Sequence, residues 1–300
     1  MQVTLIITFY KGQQYLDRLV DIVLANKKAL EASGCHKLNC VIINDSPDIN
    51  LSAPVGSPIE VITNSKNLGI HGARVTGLTS DIAKTSDYIM FLDQDDELSD
   101  DAIISLLDAA INNNYPDIVI ANANLEQADK SLVPWYRTDY HKKLIWDLNT
   151  YINIGIQIMS PGQCLIKRTS IPEFWTDEAH WMKVNGADDY FLFMLMMSAG
   201  CKHTYLDKII YTHKYTGENI SGDQNHIDES IYEFMDFMFD WPDISHKDLF
   251  TFHDMIWYKS QWRSRGLFGK IIASVFHIGC FSKNVKYKFN TQTPLGFNRN

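Results

Sequence analysis

Short β-branched runs alternate with amphipathic segments through the first 120 residues, and this rhythm restricts the fold more than any other feature. The candidate strands are Val3–Phe9, Val41–Ile43, Ile59–Ile62, Tyr88–Leu92 and Ile118–Ile120. Between the first two, apolar residues recur at the spacing of a helix with one buried face, at Leu16, Leu19, Val20, Val23 and Leu24. Helical crossovers of this kind join parallel strands. The pattern predicts an α/β fold with a mostly parallel central sheet flanked by helices.

The acidic run Asp93-Gln94-Asp95-Asp96 directly follows the fourth candidate strand. We expect Ser99 to cap the next helix, with Asp100 and Asp101 in its first turn. The buried face of that helix is predicted at Ile103, Leu106, Leu107, Ala110 and Ile111. Open parallel sheets bind ligands beyond the carboxyl ends of their strands. The acidic run is therefore predicted to lie where a ligand would bind.

Three carboxylates within four positions repel one another unless a cation compensates them. Carboxylates at i and i+2, here Asp93 and Asp95, suit Mg²⁺ or Mn²⁺, which keeps water ligands and shares the oxygens of a substrate diphosphate. An acidic surface turn leading into a helix explains the tetrapeptide alone equally well. Both interpretations stay open on these four residues.

The 300 residues are 45% hydrophobic and 12% aromatic, enough to bury a large core. From about Asn124 the pattern is irregular and aromatic, before a predicted strand over Gln163–Lys167 and a predicted helix over Asp189–Ala199. From about Ile227 the chain is predicted to form helices rich in Phe, Met and Trp. We therefore expect one large domain followed by a helical accessory region.

Charge is distributed unevenly between the body of the chain and its last 45 residues. Residues 1–255 contain 19 of the 27 Lys and Arg and all 36 Asp and Glu, a net charge of −17. The rest has eight basic residues and no acidic one. Trp257–Lys288 interleaves aromatic and basic residues, a composition suited to an anionic membrane surface and equally to helical packing with a solvated basic face. Nucleic acid is not expected as a partner, because the body is strongly acidic.

The chain lacks an uncharged apolar stretch of roughly 18 residues, so we expect no membrane span. Its five cysteines are odd in number and form no Cys-x-x-Cys pair, which argues against a disulfide framework. These features predict a cytoplasmic protein, with the inner face of the cell membrane as a site of peripheral contact.

Six motifs occur in a characteristic order. They are Thr8-Phe9-Tyr10, Val41-Ile42-Ile43-Asn44-Asp45-Ser46-Pro47-Asp48, Asn67-Leu68-Gly69-Ile70-His71-Gly72-Ala73-Arg74, Asp93-Gln94-Asp95-Asp96, Asn185-Gly186-Ala187-Asp188-Asp189, and Tyr211-Thr212-His213-Lys214-Tyr215 with Asn219-Ile220-Ser221. In this order they resemble the family 2 glycosyltransferases of the GT-A fold. The resemblance covers residues 1 to about 220, and its specificity comes from the order.

The resemblance implies a nucleotide-sugar donor, with UDP as the family preference. Thr8 and Tyr10 would lie beneath the base, and Asp45 would accept a hydrogen bond from the uracil imide. Arg74 would face the base or the phosphates, and Lys214 would meet the diphosphate where an Arg is common. This copy departs from the family pattern at Asn44, which replaces an acid, and at Pro47, which replaces a Thr.

The resemblance also implies the metal and catalytic residues. Asp95 would ligate Mn²⁺ or Mg²⁺, and Asp93 would contact the ribose or a metal-bound water. His213 would complete the metal shell, but a lone His near an aromatic strand is more often structural. Asp189 aligns with the catalytic base of inverting members, and Asp188 stands where a Glu is usual. Without the family motifs, the preferred explanation of Asp188 and Asp189 is a helix cap beside the macrodipole, which is compatible with a catalytic role at the same helix start.

The implied activity is metal-dependent, inverting transfer of one sugar to a glycan or lipid-linked glycan acceptor, as in bacterial surface polysaccharide assembly. The chain has neither the membrane spans nor the Gln-x-x-Arg-Trp motif of the processive members. The predicted domains are a GT-A domain over 1–225, with a donor half over 1–122 and an acceptor half over 123–225, and a basic helical region over 226–300. The alternatives are an inactive nucleotide- or glycan-binding protein of the same fold and a haloacid dehalogenase-type phosphatase.

Overall fold

The computed structural model describes residues 1–217 and 223–292. Its strands are β1 Gln2–Phe9, β2 Lys37–Asn44, β3 Ile59–Thr63, β4 Tyr88–Asp93, β5 Glu97–Leu98, β6 Ile118–Glu126, β7 Leu132–Pro134, β8 Cys164–Lys167 and β9 His203–His213. Its helices are α1 Leu16–Glu31, α2 Gly69–Leu78, α3 Asp81–Lys84, α4 Ala102–Asn112, α5 Asp139–Lys142, α6 Leu148–Asn153, α7 Glu173–Thr176, α8 Asp188–Ser198, α9 Gln224–Met238, α10 His246–Ser264, α11 Leu267–Phe276 and α12 Ile278–Thr291. The motif Asn219-Ile220-Ser221 lies outside the described residues.

The chain divides into two compact units, and the first contains the whole sheet. This unit consists of Met1–Trp135, Met159–Lys183 and Cys201–Gly217. The strands follow the order β3-β2-β1-β4-β8-β6-β9-β5, and β7 pairs with β6. The pairs β1·β2, β1·β4, β2·β3 and β6·β9 are parallel and carry the longer registers, while the remaining pairs are antiparallel and short. The α/β fold with parallel crossovers is confirmed, and the predicted strands are each present.

Burial on both faces explains why β1, β2 and β4 are almost continuously apolar. From Val3 to Phe9 every residue of β1 is buried, and so are most residues of β2 and β4. Helix α2 lies close to this part of the sheet at Gly77. A Cβ at that position would lie 2.3 Å from Cγ2 of Ile6, so only glycine permits the approach.

The buried face of α1 differs from the sequence prediction at its C-terminal half. Leu19 and Val23 are fully buried as expected, but Leu24 is 45% exposed and Asn26 is fully buried. The Asn26 amide donates to the Ser99 carbonyl at 3.0 Å, and its carbonyl accepts from the Ile103 amide at 3.1 Å. A polar residue thus occupies the core side of the helix because it is fully hydrogen-bonded there.

The same contacts correct the predicted cap of α4. The helix begins at Ala102 with Asp101 in the N-cap position, and neither Asp101 nor Ser99 caps it through its side chain. The Ser99 hydroxyl instead donates to the Asp101 carboxylate at 3.1 Å, and Lys208 binds the same carboxylate at 2.5 Å. Asn26 on α1 therefore supplies the acceptor for an amide in the first turn of α4.

The second unit is helical and contains residues 136–158, 184–200 and, within the described part, 223–292. Helix α8 is buried around most of its circumference, from Tyr190 to Met196, as expected for a helix at the centre of a helical unit. Tyr190 packs its ring against Phe234 of α9 and Phe252 of α10. The predicted helical C-terminal region is confirmed. In the described residues, no helix combines the length and hydropathy needed to span a bilayer.

Both units are assembled from separated stretches of chain. The predicted boundaries at residues 122 and 225 concern donor and acceptor binding, so they stay predictions.

Candidate functional site

The loops that follow β1, β2 and β4 meet at one edge of the sheet, because these strands are parallel neighbours. Phe9 pairs with Asn44 in the register of β1 and β2, and Thr8 pairs with Asp93 in that of β1 and β4. The Asp45 amide continues the ladder by donating to the Phe9 carbonyl at 2.8 Å. This edge is where an open α/β sheet binds its ligand.

Gln94 joins the acidic run to the loop after β1. Its amide nitrogen donates to the Tyr10 carbonyl, and its carbonyl oxygen accepts from the Tyr10 amide, both at 2.9 Å. Gly12 lies against the same side chain, and a Cβ there would fall 2.1 Å from Oε1 of Gln94. The Tyr10 ring is 46% exposed. Gln94, which lies between Asp93 and Asp95, therefore holds the loop that carries Tyr10.

Asp45 is buried, and its carboxylate accepts hydrogen bonds from neighbouring parts of the chain. Oδ1 accepts from the Asn64 side chain at 2.8 Å and from the Leu68 amide at 2.9 Å, while Oδ2 accepts from the Gly69 amide at 2.9 Å. Leu68 and Gly69 are the N-cap and first residue of α2. Asp45 therefore satisfies the amides at the start of that helix, and a base contact would use its remaining acceptor capacity.

Arg74 and Thr8 both contact Asp93. The Arg74 side chain is almost fully buried, and its guanidinium lies 2.8 Å from Oδ1 of Asp93. The Thr8 hydroxyl donates to the same oxygen at 3.1 Å. The structure thus brings three of the predicted donor-site residues together, and it places Arg74 where it neutralises Asp93.

Asp96 is fully buried and ties the acidic run to the end of β9. The Tyr211 hydroxyl and the Lys214 backbone amide donate to it, the latter at 2.9 Å. Nδ1 of His213 lies 3.2 Å from Oδ1 of Asp96. Nε2 is therefore the ring atom that His213 would offer a metal ion.

Lys214 lies between two carboxylates. Its Nζ is 2.5 Å from Oε2 of Glu126 and 3.2 Å from Oε1 of Glu97. Burial works against the charged amine, but the hydrogen bonds to Glu126 and Glu97 outweigh it and raise the pKa of Lys214. Arg18 reaches Glu97 at 3.7 Å and donates to the Gln94 carbonyl at 2.8 Å. Ion pairs and hydrogen bonds from Lys214, which follows β9, and from Arg18 of α1 thus stabilise the acidic run and the residue after it.

Asp95 has the most perturbed carboxylate of the run. Burial, and then repulsion from Asp96 and Asp93, raise the pKa of Asp95 to about 6. A divalent cation would relieve both effects, and a carboxylate oxygen is the ligand type that Mg²⁺ and Mn²⁺ prefer. Among the described residues, no group of three or more His, Cys, Asp or Glu is arranged to hold a metal. Asp95 is thus a carboxylate whose ionised form a nearby cation would stabilise.

Asp188 and Asp189 belong to the second unit and occupy the first turn of α8. Asp188 is buried, and Asp189 is only partly so. Oδ1 of Asp189 accepts from the Tyr190 amide at 2.7 Å. The preceding loop is held by α9, because Val184 donates to Glu233 at 2.8 Å and accepts from the Ser230 hydroxyl at 2.8 Å. Both carboxylates thus lie at the positive end of a helix in a well-supported loop.

The family model for glycosyl transferase family 2 matches residues 4–175, which is more than half of the chain. The chain belongs to glycosyl transferase family 2. A search of curated proteins by sequence finds no match. Membership in this family supports the predicted glycosyltransferase and disfavours the phosphatase alternative.

Solved structures show the same fold. Residues 1–349 of S. aureus TarS in complex with UDP-GlcNAc superpose with a TM-score of 0.56 at 15% identity, over 85% of this chain and 70% of that chain. The complex with UDP gives a TM-score of 0.54 at 14% identity, over 85% and 69%. The same TarS segment described without a ligand gives 0.54 at 14% identity, over 98% and 76%. The GT-A fold predicted from the motifs is confirmed.

Several residues that shape the family 2 site were missed from the sequence. Gln94 and Arg18 hold the acidic run, Asn64 holds Asp45, and Glu126 holds Lys214. Each acts through a partner distant in the chain; Gln94 stands inside the acidic motif without a predicted role, and the other three stand in no motif. One local signal was Gly12, a small residue three positions after the end of β1.

Proposed function

We propose that this family 2 glycosyltransferase transfers one sugar from a UDP-sugar to a glycan or lipid-linked glycan acceptor, with inversion at the anomeric carbon. The observation that carries the proposal is the edge formed by β1, β2 and β4, where Thr8, Arg74 and Asp93 meet beside the strained carboxylate of Asp95. Bacterial surface polysaccharide assembly is the setting that the family resemblance suggests.

UDP is proposed as the nucleotide because two structures with the same fold, both of TarS, are described as complexes with UDP and UDP-GlcNAc. Asp45 is proposed to meet the base and Thr8 to lie beneath it. The exposed ring of Tyr10 provides an apolar surface on which a base could stack. Asp93, held by Arg74 and Thr8, would accept a hydrogen bond from the ribose or from a metal-bound water.

Asp95 is proposed to ligate Mn²⁺ or Mg²⁺, with His213 as a further ligand through Nε2. The ion, when bound, would neutralise the charge that develops on the diphosphate as it departs. Lys214 and Arg74 are both paired with carboxylates. We propose, as the family resemblance implies, that Lys214 meets the diphosphate and Arg74 faces the base or the phosphates, and that the ion pairs with Glu126 and Asp93 fix the positions of the two cations.

Asp189 is proposed as the catalytic base. Its carboxylate would take the proton from an acceptor hydroxyl as that oxygen forms a bond to the anomeric carbon and the bond to the UDP oxygen breaks. Asp188 is buried beside it at the start of α8, and we propose that it supports the orientation of the base. Asp189 accepts from the Tyr190 amide, which would restrict its carboxylate to one rotamer.

The test is release of UDP from a panel of UDP-sugars, with Mn²⁺ and with a chelator, in wild type and Asp189→Asn. We expect metal-dependent release, and a rate about 10²–10⁴-fold lower in the variant. Thermal stabilisation by UDP should persist in Asp189→Asn, because the base does not hold the nucleotide. Stabilisation by UDP without turnover of any donor over a broad panel of acceptors would assign the chain to nucleotide binding alone.

A further inference from the structure

Helices α11 and α12 expose a large apolar surface. Leu267, Phe268 and Phe276 are 79%, 78% and 81% exposed. The exposed apolar side chains of the two helices, which we call the C-terminal apolar face, are Leu267, Phe268, Ile271, Ile272, Val275, Phe276, Ile278, Phe281, Val285 and Phe289. Exposed apolar side chains gathered on two successive helices mark a site of interaction.

Helix α11 is amphipathic, but its large apolar side chains point away from the protein and its small residues face it. Ala273 is its buried residue, and the Ser274 hydroxyl lies 3.5 Å from the Tyr258 hydroxyl of α10. Small residues thus face the protein while two Phe, two Ile, one Leu and one Val point outward. A helix that belonged to the core of this unit would have the opposite arrangement.

Helix α12 repeats this arrangement. Its inward side is polar, because the Tyr287 hydroxyl donates to Gln157 at 2.7 Å and lies 3.2 Å from the His141 ring, and because Thr291 is buried. Its outward side carries a stripe at Ile278, Phe281, Val285 and Phe289. These four positions recur at the spacing of one helical face.

Charge determines which partner fits this surface. Residues 265–292 contain five basic side chains and no acidic one. Lys270 lies over the Trp262 ring at 4.4 Å, and Trp257 and Trp262 are themselves about two-fifths exposed, at 39% and 37%. This end of the second unit therefore has a surplus of positive charge.

We propose that the C-terminal apolar face binds an anionic lipid surface, with its Phe, Leu and Ile side chains at the acyl boundary and its Lys and Arg among the headgroups. Exposed aromatic and aliphatic residues bordered by basic ones are the composition that binds a bilayer in plane. A second copy of the chain fits less well, because a two-fold contact would bring two sets of five cations together. The binding does not depend on the glycosyltransferase function.

The test is co-sedimentation of the purified full-length protein with vesicles of phosphatidylcholine alone or with about a third of phosphatidylglycerol. We expect the wild type to bind the anionic vesicles at least about tenfold more tightly, and to be released by high salt. Phe268→Gln with Phe276→Gln should weaken that binding about tenfold or more. Lys270→Gln with Lys286→Gln should weaken it by a similar factor, and only for the anionic vesicles.

The matched control is Phe250→Gln, which removes an aromatic ring that is 66% exposed on α10, outside the C-terminal apolar face. It should bind as the wild type does. The far-UV circular dichroism spectrum and the melting temperature should be close to those of wild type in all variants, which shows that they fold. Equal binding of wild type and the Phe268/Phe276 variant would overturn the proposal. Concentration-dependent dimerisation that this variant abolishes would assign the face to self-association instead.

Discussion

The loops after β2 and β4 each place a buried or partly buried aspartate at the same edge of the sheet, but the protein treats the two differently. Asp45 accepts three hydrogen bonds from Asn64, Leu68 and Gly69. Asp95 is destabilised in its charged form by burial and by two neighbouring aspartates. The Asp45 carboxylate stabilises the start of α2, whereas the Asp95 carboxylate carries a charge that a cation would compensate. Sequence alone assigns both to ligand binding.

The largest expected effect is on catalysis at Asp95. Asp95→Ala should lower metal-dependent UDP release by about 10²–10³-fold, because it removes the proposed ligand while Asp93 keeps its partners Arg74 and Thr8. Steady-state kinetics over a Mn²⁺ titration would measure it. A wild-type rate in the variant, or in wild type with a chelator, would show that Asp95 holds no catalytic metal.

The next effect is on stability at Asp45. Asp45→Ala should lower the free energy of unfolding by about 2–4 kcal/mol, because the amides at the start of α2 and the Asn64 side chain lose their acceptor. Urea denaturation would measure the loss. The matched control is Asp48→Ala, three residues along the same loop and exposed, for which we expect a change within about 0.5 kcal/mol. Equal losses would refute a structural role for Asp45.

A third effect follows from the raised pKa of Asp95. The folded state keeps a proton up to about pH 6 that the unfolded state loses near pH 4. Stability of the metal-free protein should therefore fall as pH rises from about 4 to 6, and the loss should be complete above pH 6. For this partly exposed group we expect about 1–2 kcal/mol.

Asp95→Asn should remove this pH dependence, so the metal-free variant should be more stable than wild type at pH 7.5 and similar to it at pH 4.5. Urea denaturation with a chelator at both pH values would measure the difference. Mn²⁺ should restore stability to wild type at pH 7.5 and leave the variant unchanged. A variant that is less stable than wild type at pH 7.5 would show that the ionised Asp95 carboxylate does not destabilise the metal-free protein.

The two loops also show which features of the structure the sequence could predict. The strands were predictable because their buried residues are consecutive. The family motifs then placed Thr8, Arg74 and Asp93 at one site, and these side chains do meet. The motifs could not show that Lys214 is paired with a carboxylate, because Glu126 lies in no motif.

The errors have a common physical origin. Ser99 has the composition of a helix cap, but Asn26, 77 positions before Ile103, supplies the hydrogen bond instead. Leu24 fits the helical period of α1, yet it is exposed because Asn26 takes the inward position. Hydrogen bonds between distant segments decide these cases, and a local pattern contains no information about them.

The smallest expected effect concerns Gln94, which links the loop after β4 to the loop after β1 through Tyr10. Gly12 has φ −106°, which any residue adopts, so the cost of Gly12→Ala is the contact between the new Cβ and Oε1 of Gln94. We expect this variant to lose about 1–2 kcal/mol, as Gln94 gives up its hydrogen bonds to Tyr10. In a Gln94→Ala background the same change should cost less, with a coupling of about 1 kcal/mol by urea denaturation. Gly266→Ala, with open space around the new Cβ, is the control and should show no coupling to Gln94→Ala.

The contradicting outcome is additivity. If the losses of stability from Gly12→Ala and Gln94→Ala simply add, Gln94 does not hold the Tyr10 loop. The acidic run and the proposed base-binding loop are then independent of each other.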